Sequence, residues 1–178
     1  MIVAACAALA GAAAAGANQR DIILYNHSPS VPQGFYLRTD TPLRVGAFVT
    51  VRARDVAPAE AHRRGFEGPS DRFIKRVAAA GGAQVCGDGE RLVISGGNIV
   101  IVGADDGVDA DGSSHRAVVR VLHPVGDRRG DRHIVGWRGC RVLTEGEVLL
   151  LGDTADSFDG RYWGPVSVDL IEGVWRKL

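Results

Sequence analysis

Apolar positions in this chain come in short runs, broken every few residues by glycines and polar turns. Ile22-Ile23-Leu24-Tyr25 is an apolar strand candidate that enters a polar, proline-bearing turn. Phe48 to Arg54 alternates in its second half, the two-residue period of a half-buried strand. Pro58 to Arg64 has a proline near its start and stops at Gly65, which predicts one short helix. Phe73 to Ala80 reads as an apolar strand interrupted by Lys75-Arg76. Gln84 to Cys86, Leu92 to Ile94, Asn98 to Val102 and Val118 to Leu122 read as strands between glycine turns. Ala104 to Ser114 and Asp127 to His133 read as charged loops. Val148 to Leu151 is a fully buried strand candidate, and Val166 to Ile171 another. No helical period is sustained and no segment repeats, so the expected class is mainly β with antiparallel pairing.

The first segment differs. Ile2 to Ala17 carries no charge and is rich in alanine. As a helix it would span about 24 Å at ~1.5 Å per residue, slightly short of a bilayer core of about 30 Å. It reads as a minimal membrane anchor or a cleaved signal segment, with a buried soluble helix as the plain alternative. Val3-Ala4-Ala5-Cys6 has the look of a lipoprotein cleavage box but lies too close to Met1 to follow an apolar region. The expected organisation is an anchor or signal segment over 1–18 and one folded domain over 19–178, with a variable middle region at about 84–140.

Charge and composition narrow the chemistry. Lys and Arg balance Asp and Glu at 21 each, and no basic run appears, so nucleic acid is not an expected partner. Three cysteines are too few for a disulfide scaffold. His62, His115, His123 and His133 lack metal-ligand spacing. The acidic stretch Asp105 to Gly112 has Gly107 and Val118 where a calcium loop needs carboxylates. Neither a metal nor a cofactor is expected.

Three polar features stand out against this background. Ser28-Pro29-Ser30-Val31-Pro32 pins its backbone at two prolines and fixes the direction of its hydroxyls; its ordinary reading is a Ser/Pro turn. Lys75 sits among Phe73, Ile74 and Val77, where desolvation lowers an amine's pKa and a neutral amine can take a proton from a serine; its ordinary reading is a snorkelling lysine. Gly152-Asp153 with Ser157, Asp159 and Arg161 ends the Leu149-Leu150-Leu151 run, and reads either as a polar turn or as a corner that orients a lysine.

Taken together, the three segments resemble the signal peptidase family with a Ser-Lys dyad, S26. They are most similar to its conjugal-transfer, TraF-type branch. The likeness lies in the opening Asn26 to Tyr36, the Lys75-Arg76 strand and the ending Ser157-Phe158-Asp159-Gly160-Arg161-Tyr162. It implies a large antiparallel β domain carried by an N-terminal hydrophobic helix at the inner membrane, facing the periplasm. By position it implies Ser30 as nucleophile, Lys75 as general base and Asp159 as a further catalytic residue. Ser28 would support the oxyanion hole, Ser157 would orient Lys75, and Arg161 would pair with Asp159. Pro32 stands two residues after Ser30, one fewer than in general signal peptidases, which leaves Ser28 open as the attacking residue; the transfer-branch pattern favours Ser30. The implied partners are the membrane and an extended peptide segment of an exported precursor or pilin subunit, with small residues beside the cut. Val31, Phe35 and Phe73 are expected to surround the site as apolar contacts.

Two function classes follow: a membrane-associated serine endopeptidase, or a non-catalytic component of a secretion or transfer apparatus that keeps the fold. An outward-facing domain also meets an oxidising compartment, where Cys86 and Cys140 can form a bridge; two free thiols are the alternative.

Overall fold

The computed structural model describes residues 21–97, 99–100 and 134–178, with the backbone of 105–107 and 116–120. The apolar runs pair into two antiparallel sheets. The first begins with a hairpin, β1 (Ile23–Asn26) against β2 (Gly34–Thr39), and the turn between them holds Ser28 and Ser30. β3 (Phe48–Arg52) pairs with β4 (Arg72–Ala79), which places Val49 opposite Lys75. Two short helices connect them, α1 (Ala53–Val56) and α2 (Pro58–Arg64). Pro58 starts α2, and Gly65 caps it with φ 64°, a left-handed conformation that glycine adopts without steric cost.

The second sheet lies in the middle of the chain. Its strands are β5 (Gln84–Asp88), β6 (Arg91–Ser95), β7 (Asp105–Gly107), β8 (Arg116–Arg120) and β9 (Arg138–Val142), in the spatial order β7-β8-β6-β5-β9. The chain then returns to the first sheet through β10 (Glu147–Leu151), α3 (Gly160–Trp163), β11 (Val166–Ser167) and β12 (Ile171–Lys177). The completed order is β1-β2-β12-β3-β4-β10-β11.

Burial joins the two sheets. Ala78, Ala79, Leu149 and Leu151 from β4 and β10 pack with Val85, Leu92 and Ile94 from β5 and β6. Each of the valine, leucine and isoleucine side chains contributes roughly 1.5–3 kcal/mol on burial. A separate cluster of Val31, Tyr36, Ile74 and Trp175 lies under the serine turn and fixes it to β2, β4 and β12. Cys86 and Cys140 face each other across β5 and β9 and are joined by a disulfide.

Several elements depart from the sequence reading. Strands β2, β9 and β12 add to the expected set. Val166 to Ile171 is not one strand: β11 ends at Ser167, a 3-10 turn covers Val168–Leu170, and β12 starts at Ile171. The turn forms because the Ser167 side chain accepts from the Asp169 amide. The loop expected over Ala104 to Ser114 contains β7, which gains its ladder from β8. Of the expected strand Asn98 to Val102, Ile99 makes an isolated bridge to Ala79, and 98, 101 and 102 lie outside the described residues. The N-terminal anchor or signal segment and the loop Asp127 to His133 lie outside the described residues. Among the described residues, no helix is long and apolar enough to cross a membrane.

Candidate active site

Strand β4 serves two partners. Arg72 to Arg76 pair with β3, while β10 reaches back along β4 only as far as Leu151 opposite Arg76. Lys75 therefore lies just past the end of β10, where the chain turns off into the loop 152–159. That loop folds over the lysine from one side, and the serine turn closes from the other.

The serine turn is built by a residue that the sequence reading did not single out. Asn26 donates to the carbonyls of Ser28 (2.8 Å), Val31 (3.1 Å) and Pro32 (3.3 Å), and its Oδ1 accepts from the Ser28 amide at 3.1 Å. The Tyr36 hydroxyl donates to the Pro32 carbonyl at 2.6 Å. Burial of that phenol, with Asp153 nearby, pushes its pKa up to about 12, so it stays a donor. An asparagine two residues before a serine is an ordinary Asx-turn signal, which could have drawn attention to Asn26. Val31, expected as an apolar contact around the site, is fully buried and pins the turn to the core with Tyr36, Ile74 and Trp175. Phe35 is exposed, and Phe73 lines the hollow beside the site.

Lys75 is 3 % exposed. Its Nζ donates to Ser30 Oγ at 2.9 Å and to Ser157 Oγ at 3.1 Å. Ser28 Oγ donates to Ser30 Oγ at 3.0 Å and accepts from the Ser30 amide at 3.2 Å. Of the two serines, Ser30 is the one bonded to the amine. Burial is the main force on Lys75 and lowers its pKa from 10.5 to about 8. The Arg161 charge adds to this, while Asp159, Asp153 and Asp156 oppose it.

The corner loop is held at both ends. Asp159 Oδ2 accepts from the Gly152 amide at 2.7 Å and from Arg161 at 3.0 Å; Oδ1 accepts from the Arg161 amide at 3.0 Å. Burial pushes the Asp159 carboxyl up, against the pull of Arg161 and Lys75. Arg161 further donates to the carbonyls of Gly152 (3.1 Å), Thr154 (2.8 Å) and Ala155. Asp153 forms a two-point pair with Arg76 at 2.7 and 2.8 Å. All six side chains singled out in the sequence thus converge, Asp159 and Arg161 through the loop instead of by direct contact with Ser30.

A hollow of about 320 Å³ opens in front of Ser30 and Lys75, walled by Phe66, Phe73 and Phe158 and rimmed by Arg64 and Asp156. Phe73 stacks on Trp163 at 5.4 Å, which holds that wall in place. Among the described residues no cluster of His, Cys, Asp and Glu could hold a metal.

The site is a buried lysine within β4, just past the end of β10, with its amine bonded to two serines, Ser30 and Ser157. The family model described as "Signal peptidase, peptidase S26" matches residues 1–177, and the chain belongs to that family. Two Escherichia coli relatives, each named "Plasmid transfer protein TraF", place it in the TraF-type branch. One is 31% identical over 164 residues, covering 86% of this chain and 80% of the relative. The other is 29% identical over 190 residues, covering 100% of this chain and 92% of the relative.

Proposed function

We propose that this protein is a membrane-associated serine endopeptidase of signal peptidase type, cutting after small residues in an exported or pilin precursor during conjugal transfer. The observation that carries this reading is the 2.9 Å contact between the buried Lys75 Nζ and Ser30 Oγ at the base of the hollow.

The chemistry follows from the geometry. Neutral Lys75 takes the Ser30 proton, and Oγ attacks the scissile carbonyl. The Ser30 amide and the Ser28 hydroxyl stabilise the negative charge that develops on the carbonyl oxygen. The Lys75 ammonium then gives its proton to the leaving amine, and a water activated by Lys75 releases the acyl chain from Ser30. Ser157 holds the amine in line throughout. Asp159 and Arg161 keep the loop closed and dry.

The substrate lies extended along the edge of β4 at Phe73–Lys75, which β10 leaves unpaired. The hollow is large enough for several small side chains of one extended peptide. Ile23, Tyr25 and Phe35 form an exposed apolar row on one face of the β1–β2 hairpin, which supports contact with the outer face of an inner membrane. The test is incubation with a pilin precursor, comparing the intact protein with Ser30→Ala by mass spectrometry. A single new cut after a small residue, absent with the variant, is the expected result. Identical digestion by both would refute it.

A further inference from the structure

Trp137 lies one residue before β9 and links the second sheet to the corner loop. Its main-chain N–H donates to the Arg161 carbonyl at 2.7 Å. Its indole fills a slot that only glycines leave open. A β-carbon at Gly164 would fall 2.5 Å from the ring, and one at Gly87 in β5 would fall 2.8 Å from it. Gly164 ends α3 with φ 79°. The ring also packs on the cluster that joins the two sheets. Three residues further on, the Cys86–Cys140 bridge fixes β9 to β5.

α3 is also pressed against β10. A β-carbon at Gly160 would fall 2.7 Å from the Leu150 carbonyl oxygen. The Arg161 turn is therefore held by both β10 and Trp137. Arg161 holds Asp159, Asp159 holds the Gly152 amide, and this frame seats Ser157 against Lys75.

We propose that Trp137 is a positioning residue for Lys75: by clamping the Arg161 turn, it sets how tightly the corner loop seals the amine from water. The proposal deepens the reading of Lys75 as the base, but it stands on the geometry of the corner, and its test reads the amine itself. The charged groups acting on Lys75 are Asp153, Asp156, Asp159 and Arg161, all from the corner. Val49 faces it from β3, and Ser30 from the serine turn. On its own strand, Arg72 is paired with Asp21 and Glu172, and Arg76 with Asp153. Loosening the corner admits water and favours the ammonium.

The chain contains only two lysines, Lys75 and Lys177. In a Lys177→Arg background, ¹³Cε NMR follows Lys75 alone. Trp137→Ala is expected to raise the Lys75 midpoint by about one unit. Both variants keep the main-chain bond to Arg161; Trp137→Phe also keeps most of the ring and should hold the midpoint near that of the parent. Activity of Trp137→Ala should fall more at neutral than at alkaline pH, whereas a loss of folded protein would lower it equally at both. An unchanged midpoint in folded Trp137→Ala overturns the proposal. If that variant does not fold, Trp137→Leu is read in the same way: an upward shift supports the clamp and none overturns it. A shifted midpoint in a protein that cleaves nothing leaves the clamp standing and removes the peptidase reading instead.

Discussion

The amide of Asp153 donates to the carbonyl of Ser30 at 2.6 Å. This bond ties the corner loop to the serine turn across Lys75. With Asp153 also paired to Arg76, one residue spans the serine turn, β4 and the end of β10. The two serines are then held in fixed and unequal positions relative to the amine.

That inequality gives the first prediction. Ser30→Ala should abolish processing, because the covalent route is lost. Ser28→Ala should only slow it, by about 10²–10³, the usual cost of one oxyanion donor. Reversed behaviour in a cleavage assay would make Ser28 the attacking residue.

The lysine sets the pH dependence. With its pKa lowered to about 8, the neutral fraction rises with pH and levels off above that point. Activity should follow the same limb. Lys75→Arg should be inactive, because a guanidinium stays charged. Stability has the matching sign. Between about 8 and 10.5 the unfolded chain holds a proton that the folded one has released, so stability rises with pH there. Below that window the cost of a buried ammonium is fully present. Lys75→Met should therefore raise Tm in mildly acidic buffer and gain less in strongly alkaline buffer, as read by calorimetry.

Gly152 tests the closeness of the two loops. A β-carbon there would fall 2.6 Å from Ser157 Cβ and 2.7 Å from the Ser30 carbonyl oxygen. Gly152→Ala should push the loop off the lysine. A loss of activity well beyond the loss of Tm is expected, measured on the folded fraction.

The bridge is checked by counting thiols. Protein unfolded without reductant should show one reactive cysteine, Cys6, out of three. Cys86→Ser should cost ~2–4 kcal/mol of stability in denaturant unfolding.

Substrate choice is read from the residue beside the cut. Peptides with Ala or Gly there should be cleaved, and the same peptides with Leu or Phe should not. Equal cleavage of both sets would refute a small-residue requirement.

Much of the site is legible in the sequence because its residues sit in short local motifs. The turn Ser28 to Pro32 and the corner Gly152 to Arg161 announce themselves through prolines, glycines and closely spaced polar groups. Lys75 is visible as a charge among apolar neighbours. What stays hidden is long-range. Trp137 has no local pattern; its meaning comes from glycines at 87 and 164 that only the fold brings to it. β9 is exposed along its whole length, so no alternation marks it. β12 is interrupted by Gly173 and is a strand because β2 and β3 flank it.

The serine turn follows β1 without a spacer, and β1 starts soon after the apolar segment ends at residue 17. Ser30 is twelve positions after residue 18, at most about 40 Å of fully extended chain. Wherever residue 18 is fixed, Ser30 works on a tether of that length. If the bilayer is the point of attachment, the same tether is a ruler: it selects bonds close to the membrane surface and leaves identical sequences farther out uncut.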